Sequence, residues 1–477
     1  MTLVAGVDTS TQSCKVLVFD AESGALIRQG SAKHPDATEC HPDAWWAAFE
    51  AASAMAGGLG DVAAISVGGQ QHGMVLLDAH GEVIRPAQLW NDTKSGQAAA
   101  DLVAELGAET WVQATGLMLV PSFTVTKLRW IADHEPENAA RIAAICLPHD
   151  WLTWQLRGGS DLSLLTTDRS EASGTGYFDP QTGQYRRDLL AHALRRDEAG
   201  VADIVLPRVL APHEAAGHGA ASLGFDAALI GPGCGDNAGA ALGLSHVPGS
   251  VTVSIGTSGV VCAVSTTAVR DVSGLVAGFA DAQGNYLPLI ATINGARILQ
   301  ATAHLLGTDF AGLDTLALSA EPGAGGLVLV PHFDGERTPN LPDAAGTLAG
   351  MTLANLTQPN LARASVEGLL CLLGVGMEAQ RAQGVRIDSV TLIGGGSQSL
   401  AVREVAPAIL GVPVEVPEPG EYVARGAARQ AAWVLAGGEQ PPAWAPIPAT
   451  TFTAAPTPQI QQRYDRVAAQ VSGLNPR

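Results

Sequence analysis

One local pattern occurs in both halves of the chain, and it limits the fold more than any other feature of the sequence. Residues 3–7 and 15–19 form two short apolar runs around a polar turn, and residues 250–255 and 260–264 repeat this arrangement. Apolar runs of this length joined by a turn predict β-hairpins. Because one such hairpin opens each half of a 477-residue chain, the sequence predicts a duplicated architecture with a cleft between the halves.

Strand and helix patterns alternate along the rest of the chain, which is typical of α/β proteins. The tripeptide Val247-Pro248-Gly249 interrupts this alternation and marks the predicted domain boundary. We therefore expect an N-terminal domain at 1–247 and a C-terminal domain at 248–440. The remaining residues, 441–477, are expected to form a proline-rich surface excursion at 441–458 and a final helix at 460–474.

Composition excludes several classes of function. Hydrophobic residues make up 47% of the chain and charged residues 15%, so large cores are expected and disorder is not. The net charge of −19 argues against nucleic-acid and acidic-membrane partners, because both need a basic face. A phosphorylated ligand would need local help from backbone N–H groups, a lysine or a metal.

The N-terminal segment and the cysteines bear on location and on stabilisation by disulfides or zinc. No basic, apolar leader begins the sequence and no run of eighteen apolar residues occurs, so we expect neither a signal peptide nor a membrane span, and we expect a cytoplasmic location. The six cysteines are widely separated and contain no C-x-x-C pair, which disfavours zinc sites and structural disulfides.

The polar turn of the first hairpin contains hydroxyls, turn N–H groups and a lysine. Its side chains include Asp8, Thr11, Gln12, Ser13 and Lys15. Such a turn can bind phosphate oxygens, and Asp8 can hold a hydrated Mg²⁺. A solvated hairpin turn without a ligand is the alternative.

Two further glycine-rich turns follow predicted strands in the second half. Gly256 and Thr257 lie in the turn of the second hairpin, and Gly395, Gly396 and Ser399 follow the apolar strand at 390–393. Two hairpin turns from two halves can enclose a polyphosphate, and glycines at a strand-to-helix junction leave room for a flat ring or a phosphate. A tight structural turn explains the third segment equally well.

A single acid lies among small residues at 233–241. Asp236 follows Gly233-Cys234-Gly235 and precedes an Asn237-Ala238-Gly239 run that predicts the start of a helix. The carboxylate of Asp236 can either cap this helix or face a cleft and accept a proton. Cys234 is interpreted as a small packed residue rather than a nucleophile.

The segment 68–73 follows a predicted buried strand and contains Gln71 and His72. An imidazole and two amides at a strand end suit a small polyhydroxylated ligand, although a lone histidine is more often structural. The nearby segment 89–92 adds Trp90 as an aromatic wall. The sequence has no Walker A motif, no G-x-G-x-x-G at the first strand and no G-x-S-x-G, which disfavours P-loop, Rossmann and esterase folds.

These segments, in this order, resemble the carbohydrate kinases of the FGGY family, within the actin/hexokinase/heat-shock ATPase superfamily. Two longer stretches carry the resemblance: residues 122–134, which read SFTVTKLRWIADH, and residues 346–351, which read GTLAGM and are followed by Asn360-Leu361 and Ala364-Ser365-Val366-Glu367. The resemblance extends from about residue 3 to about residue 435.

The resemblance implies an α/β protein of two actin/hexokinase-like (ribonuclease H-like) domains, with the active site in the interdomain cleft and ATP and Mg²⁺ as cofactors. Asp8, Thr11, Gln12, Ser13 and Lys15 match the first phosphate motif, Gly256 and Thr257 the second, and Gly395, Gly396 and Ser399 the adenosine motif. Sugar-binding positions match Gln71, His72, Asp236 and Asn237, with Asp236 as the catalytic base and Asp8 holding the metal through water.

Within the family, the chain is most similar to members that phosphorylate D-xylulose, which implies transfer to O5. Glycerol kinases carry Arg-Glu in place of Gln71-His72, so glycerol is disfavoured. Relatives commonly have methionine in place of Gln71, glycine in place of Ser10 and, in some, a histidine within 278–282, and these departures leave room for another sugar.

Two alternatives stay open: a family member that acts on ribulose, glycerol, gluconate or a related compound, and an actin-like nucleotide-dependent sensor without sugar turnover. The resemblance implies a sugar and ATP as small-molecule partners. It also allows a homodimer, because relatives often form dimers.

Overall fold

Two seven-stranded β-sheets, one in each half of the chain, organise residues 1–471, which the computed structural model describes. The strands are β1 (Leu3–Thr9), β2 (Ser13–Asp20), β3 (Leu26–Lys33), β4 (Glu39–Cys40), β5 (Val62–Gly69), β6 (Val75–Leu77), β7 (Ala87–Gln88), β8 (Ala144–Cys146), β9 (Thr166–Asp168), β10 (Phe178–Asp179), β11 (Gln184–Tyr185), β12 (Arg208–Leu210), β13 (Gly217–His218), β14 (Leu229–Ile230), β15 (Cys234–Gly235), β16 (Ser250–Ile255), β17 (Gly259–Ala263), β18 (Ala277–Ala280), β19 (Tyr286–Thr292), β20 (Val328–Val330), β21 (Thr347–Ala349), β22 (Ser389–Ile393), β23 (Val414–Pro417) and β24 (Ala449–Phe452). The helices are α1 (Pro42–Met55), α2 (Gly96–Leu106), α3 (Ala108–Thr115), α4 (Thr124–His134), α5 (Pro136–Ala140), α6 (Pro148–Leu156), α7 (Arg169–Ala172), α8 (Arg187–Ala193), α9 (Asp236–Gly243), α10 (Arg297–Leu305), α11 (Phe310–Ser319), α12 (Gln358–Ala382), α13 (Leu400–Leu410), α14 (Tyr422–Ala436) and α15 (Pro458–Val471).

The two sheets share one topology. In the first, β3, β2 and β1 form an antiparallel meander, and β1 then pairs in parallel with β5, which also pairs in parallel with β14 and β15. In the second, β19, β17 and β16 form the meander, and β16 pairs in parallel with β22, which pairs in parallel with β23. The duplicated hairpins that the sequence predicts are therefore confirmed.

Each sheet is covered by helices on its apolar faces. In the first half, α1 lies on β2 and β3, and in the second half α12 lies at the centre of the core. By length and composition α12 could cross a membrane, but 83% of its most apolar stretch is buried inside the protein. The helix is therefore a core element of the second half.

Helix α14 lies between β23 and β24 of the second sheet in sequence but packs on the first sheet. Its alanines lie against β1 and β5, and its backbone approaches β1 so closely that a Cβ at Gly6 would overlap the carbonyl oxygen of Ala424. It also crosses α9 closely, because a Cβ at Gly426 would overlap the carbonyl oxygen of Gly239. The two halves are thus joined through α14 and α9.

The C-terminal segment is more closely integrated than the sequence predicts. The expected surface excursion at 441–458 contains β24, which pairs with β23 at the edge of the second sheet, and Trp444, whose buried ring stacks on Phe19 at 5.4 Å. Helix α15 matches the predicted final helix up to Val471, and the predicted residues 472–474 lie outside the described part of the chain. Tyr464 of α15 belongs to the second core.

The α9–α14 contact predicts a specific effect of adding one methyl group. Gly426→Ala should lower the free energy of unfolding by about 1–3 kcal/mol, because the new Cβ forces two backbones apart in a well-packed contact. Thermal unfolding followed by circular dichroism measures this change. Gly60→Ala is the matched control, because the exposed Gly60 has only one atom, the carbonyl oxygen of Gly224 at 3.7 Å, near the new methyl group. Equal melting temperatures for the two variants would contradict the prediction.

Candidate active site

Three parallel strands of the first sheet deliver the candidate residues to one edge. The register pairs Thr9 of β1 with Gly69 of β5, and Gly69 with Gly235 of β15. The residues at the carboxyl ends of these strands therefore emerge side by side, at the place where ligands bind in open α/β sheets. Asp8, the segment with His72, and Asp236 are brought together in this way.

Asp236 is the first residue of α9, and its side chain does not act as an ordinary helix cap. The N-cap residue is Gly235, and Oδ1 of Asp236 accepts hydrogen bonds only from the backbone N–H of Asn237 (2.7 Å) and its side-chain amide (2.8 Å). Within residues 1–471, Oδ2 accepts no hydrogen bond, and the side chain is partly exposed. One carboxylate oxygen thus stays available to a ligand.

Burial raises the pKa of Asp236 to about 7, and the negative charge of Asp8 raises this pKa as well, whereas the hydrogen bonds from Asn237 lower it. A pKa close to neutrality is what a general base needs, because the ionised form is then populated and still basic. By contrast, the neighbouring Cys234 is completely buried, and burial raises the pKa of its thiol well above the ordinary range. The structure therefore favours a packing role for Cys234.

The first hairpin turn lies beside Asp236 and carries the second carboxyl. Asp8 is 4% exposed, and its Oδ1 accepts the backbone N–H of Ser10 at 3.0 Å. Burial raises the pKa of Asp8 to about 6, although the ammonium group of Lys15, 4.0 Å from Oδ2, acts to lower it. Lys15 itself donates to Glu421, at the start of α14, at 2.5 Å.

The rest of this turn is held from both sides. Nδ1 of His34 lies 2.9 Å from the carbonyl oxygen of Ser10, and Nε1 of Trp90 donates to Oγ1 of Thr11 at 2.8 Å. Trp90 therefore lies against the first hairpin turn, in the position of an aromatic wall beside that turn. Gln12 is exposed, and Ser13 begins β2 with a partly exposed side chain.

The remaining predicted nucleotide residues lie together at the corresponding edge of the second sheet. Strands β16 and β22 are parallel, with Ser254 opposite Ile393, so the turn with Gly256 and the exposed Thr257 lies beside the turn at 394–396. No hydrogen bond or ion pair joins this group to the group around Asp236 in the described residues.

The three residues of the predicted adenosine motif differ in their surroundings. Gly395 is open, with no atom within 4 Å of the position of a Cβ, whereas a Cβ at Gly396 would overlap the side chain of Ile255. Ser399 caps α13 by accepting the N–H of Val402, and its hydroxyl donates to Asp314 at 2.5 Å. Gly395 therefore leaves space for a ligand, while Gly396 and Ser399 shape the turn.

Gln71 and His72 follow β5 and are both nearly buried, at 7% and 9% exposure. The amide of Gln71 donates to the carbonyl oxygen of Ser170 at 3.2 Å. Nδ1 of His72 lies 2.9 Å from the carbonyl oxygen of Gly174, and its ring packs against Phe123 at 5.0 Å and Phe279 at 5.5 Å. Phe279 comes from β18, so the second half contributes to the surroundings of His72.

Burial lowers the pKa of His72 to about 3, and the positive charge of Lys127 lowers it further. The imidazole is therefore neutral at physiological pH. A neutral ring whose Nδ1 donates to a carbonyl oxygen presents Nε2 as an acceptor. In the described residues Nε2 has no hydrogen-bond partner, so His72 can accept a hydrogen bond from a ligand hydroxyl.

A buried polar layer behind Asp236 is not evident from the sequence. The hydroxyl of Ser170 accepts the N–H of Gly235 at 2.9 Å and donates to Asp168 at 2.7 Å, and Asp168 lies 3.4 Å from Nε2 of His149. Burial acts to lower the pKa of His149, but the carboxylates of Asp150 and Asp168 outweigh it and raise that pKa. The layer thus fixes the backbone that precedes Asp236.

In the described part of the chain, Asp8 offers a divalent cation a carboxylate rather than a complete cage of ligands. In residues 1–471, no group of three or more His, Cys, Asp or Glu side chains is arranged to hold a metal ion. The negative charge of Asp8 raises the pKa of Asp236, and a cation beside Asp8 would offset that charge. The donor set therefore fits a hydrated Mg²⁺ that shares its coordination with phosphate oxygens.

Comparison with known proteins gives matches over nearly the whole chain. The N-terminal domain model of the FGGY family of carbohydrate kinases matches residues 3–243, and the C-terminal domain model matches residues 251–435. The chain is 44% identical over 448 residues to a xylulose kinase from Streptomyces coelicolor and 42% identical over 445 residues to one from Streptomyces rubiginosus, in each case with 91% of this chain and 88% of the relative covered.

The solved structure of a xylulose kinase from Bifidobacterium adolescentis is 50% identical, with a TM-score of 0.94 and 98% of this chain and 99% of that chain covered. This likeness, together with the two family matches, confirms the predicted fold class.

Proposed function

The chain belongs to the FGGY family of carbohydrate kinases, and we propose that it transfers the γ-phosphoryl group of ATP to O5 of D-xylulose, with Asp236 as the general base. The geometry of Asp236 carries the proposal: its partly exposed carboxyl has a free oxygen and a pKa of about 7, at the edge that it shares with Asp8 and His72. The xylulose kinases that match most of the chain support the choice of sugar.

In the proposed reaction, the oxygen of the sugar hydroxyl forms a bond to the γ-phosphorus, and the bond between the γ-phosphorus and the oxygen of the β-phosphate breaks. Asp236 accepts the proton that the sugar hydroxyl loses. The position of Asp236 at the N-terminus of α9 favours the ionised carboxylate that this step requires. Phosphoryl transfer depends mainly on positioning and charge stabilisation, so the fixed backbone before Asp236 matters as much as its basicity.

Sugar binding is assigned to Gln71, His72 and Asn237 beside Asp236. The neutral His72 accepts a hydrogen bond at Nε2, and the ring of Phe279 covers the imidazole from the second half. A ligand held here is close to the base because all these residues leave the first sheet at one edge.

ATP is assigned to the two phosphate turns and to the open glycine turn after β22. The hydroxyls of Thr11, Ser13 and Thr257 and the N–H groups of the turns bind phosphate oxygens, and the space at Gly395 accommodates the adenosine. Mg²⁺ near Asp8 would neutralise phosphate charge when bound. The domain boundary near 247–249, the cytoplasmic location and a homodimer stay predictions.

The pH dependence of the reaction should follow the ionisation of Asp236. The value of kcat/KM for the sugar should fall about tenfold per pH unit below about pH 7, because protonated Asp236 cannot accept the hydroxyl proton. His72 should not contribute to this acid limb, since its pKa of about 3 keeps it neutral throughout. Initial rates of ADP release between pH 5 and 9 measure the profile, and a rate that stays flat down to pH 5 would contradict the role of Asp236.

Removal of the carboxylate of Asp236 should lower turnover and spare sugar binding. Asp236→Asn should lower kcat by about 10²–10⁴ while sugar binding changes little, because the amide keeps the shape but cannot take a proton. Calorimetric sugar binding and single-turnover rates measure the two effects. Asp203→Asn, at an exposed carboxylate, is the matched control and should keep full activity. Turnover of Asp236→Asn within a few-fold of the parent would remove Asp236 as the base.

The choice of sugar is tested by kcat/KM values for D-xylulose, D-ribulose, glycerol and D-gluconate, with ³¹P NMR to locate the phosphate in the product. We expect the highest value for D-xylulose and a 5-phosphate. A higher value for another compound would replace the substrate but keep the kinase, and ATP hydrolysis that no sugar changes would favour a nucleotide-dependent sensor.

A further inference from the structure

The backbone of His72 is held in a conformation that non-glycine residues rarely adopt. Its φ of 70° lies in the left-handed region, where a side chain with a Cβ is disfavoured. Such strain persists only where surrounding contacts stabilise it, and it concentrates at functional sites. The contacts that stabilise His72 are therefore part of the machinery that orients its ring.

We propose that Lys127 is the positioning residue of the sugar site: its ammonium group holds the carbonyl oxygen of His72 and thereby aims the imidazole at the sugar. The inference rests on the proposed function for the identity of the ligand that His72 binds. It assigns a role in sugar recognition to a residue of α4 that does not itself face the sugar.

In the described residues, the ammonium group of Lys127 donates hydrogen bonds to two backbone carbonyl oxygens. Its side chain is completely buried, and Nζ donates to the carbonyl oxygen of His72 at 2.9 Å and to that of Ser122. In residues 1–471, no carboxylate lies within ion-pair distance of Nζ. Burial lowers the pKa of Lys127 to about 7, while the charge of Asp92, from further away, acts to raise it. Burying a cation against carbonyl oxygens alone is costly, so a specific gain at His72 must offset it.

A second donor acts on the same carbonyl oxygen. Oγ1 of Thr124, the first residue of α4, lies 3.2 Å from the His72 oxygen. The start of α4 thus offers a hydroxyl and an ammonium group to one acceptor, and hydrogen bonds from a charged donor are about twice as strong as neutral ones. The peptide after His72 cannot rotate without losing both.

The imidazole is fixed independently, at its other end. Nδ1 bonds to the carbonyl oxygen of Gly174, whose chain passes so closely that a Cβ at Gly174 would overlap the ring. Phe123 and Phe279 contact the ring as well. Lys127 fixes the peptide of His72 and Gly174 fixes Nδ1, so the direction of Nε2 is fixed as well. Nε2 is the nitrogen that we propose accepts a hydrogen bond from the sugar.

The removal of the ammonium group should therefore weaken sugar binding and spare ATP and the base. In Lys127→Met, which keeps the length of the side chain, the KM for D-xylulose should rise at least about tenfold, the effect of losing a hydrogen bond to a charged group. The kcat should stay within about threefold, because Asp236 is held by a different network. The KM for ATP and sugar-independent ATP hydrolysis should not change.

Lys33→Met is the matched control, because Lys33 is exposed on the edge strand β3, and its kinetic constants should equal those of the parent. Thr124→Val removes the weaker donor with little change of shape and should raise the sugar KM by a smaller factor. This second variant tests the inference if Lys127→Met does not fold.

A double-mutant cycle distinguishes orientation of the His72 ring by Lys127 from a general effect of Lys127 on the stability of the fold. His72→Gly adopts a φ of 70° without strain and has no ring to aim. In that background Lys127→Met or Thr124→Val should add little to the sugar KM, whereas an additive loss would overturn the inference. A rise in the KM for ATP, or a fall in kcat alone, would overturn it as well. If the parent enzyme does not phosphorylate D-xylulose, the proposed function fails separately, and the cycle is measured with the sugar that the parent accepts.

Discussion

The parallel register of β1, β5 and β15 is the constraint on which the candidate site depends. Thr9, Gly69 and Gly235 lie side by side, so the residues that follow them reach one edge although they are far apart in sequence. A slip of one residue in any of these strands would turn its side chains to the other face of the sheet. Small residues protect this register, because a Cβ at Gly69 would lie 2.8 Å from Cβ of His149 and one at Gly235 would lie 2.9 Å from the carboxyl of Glu171.

Charge at this edge is the second constraint, since a chain of net charge −19 is proposed to bind a polyphosphate. Burial raises the pKa of Asp8 to about 6 and that of Asp236 to about 7, so near neutral pH the edge carries less negative charge than two free carboxylates would. Burial and the neighbouring carboxylates raise the pKa of Glu171, which lies behind them, well above its ordinary value. Backbone N–H groups and hydroxyls, rather than a basic surface, are then sufficient to receive phosphate oxygens.

The sequence predicts the parts of this protein that depend on local pattern. The strands at 3–7, 15–19 and 250–255, the duplicated hairpins and the two-domain fold are confirmed, because alternation of apolar runs and turns is a local signal. The pairing of β15 with β5 and the packing of α14 on the first sheet depend on contacts between distant segments, so no local pattern predicts them. The packing of Trp444 on Phe19 is likewise not predictable from local pattern, since the prolines around Trp444 predict only a loop.

The same distinction separates the residues of the site. Asp236 and His72 are recognisable from their small or polar neighbours, but the hydrogen bonds that hold the carbonyl oxygen of His72 come from Lys127 and Thr124, which belong to a distant helix. Phe279 carries no local sequence signal of its own, because an apolar residue in a strand predicts a core position, and only the resemblance draws attention to the segment 278–282. Yet Phe279 contacts His72 from the second half, and Glu421 of the same half bonds to Lys15 in the first phosphate turn. The second half therefore contacts both ends of the candidate site on the first sheet. The orientation of the residues that we propose for sugar and phosphate binding then depends on how the two halves pack.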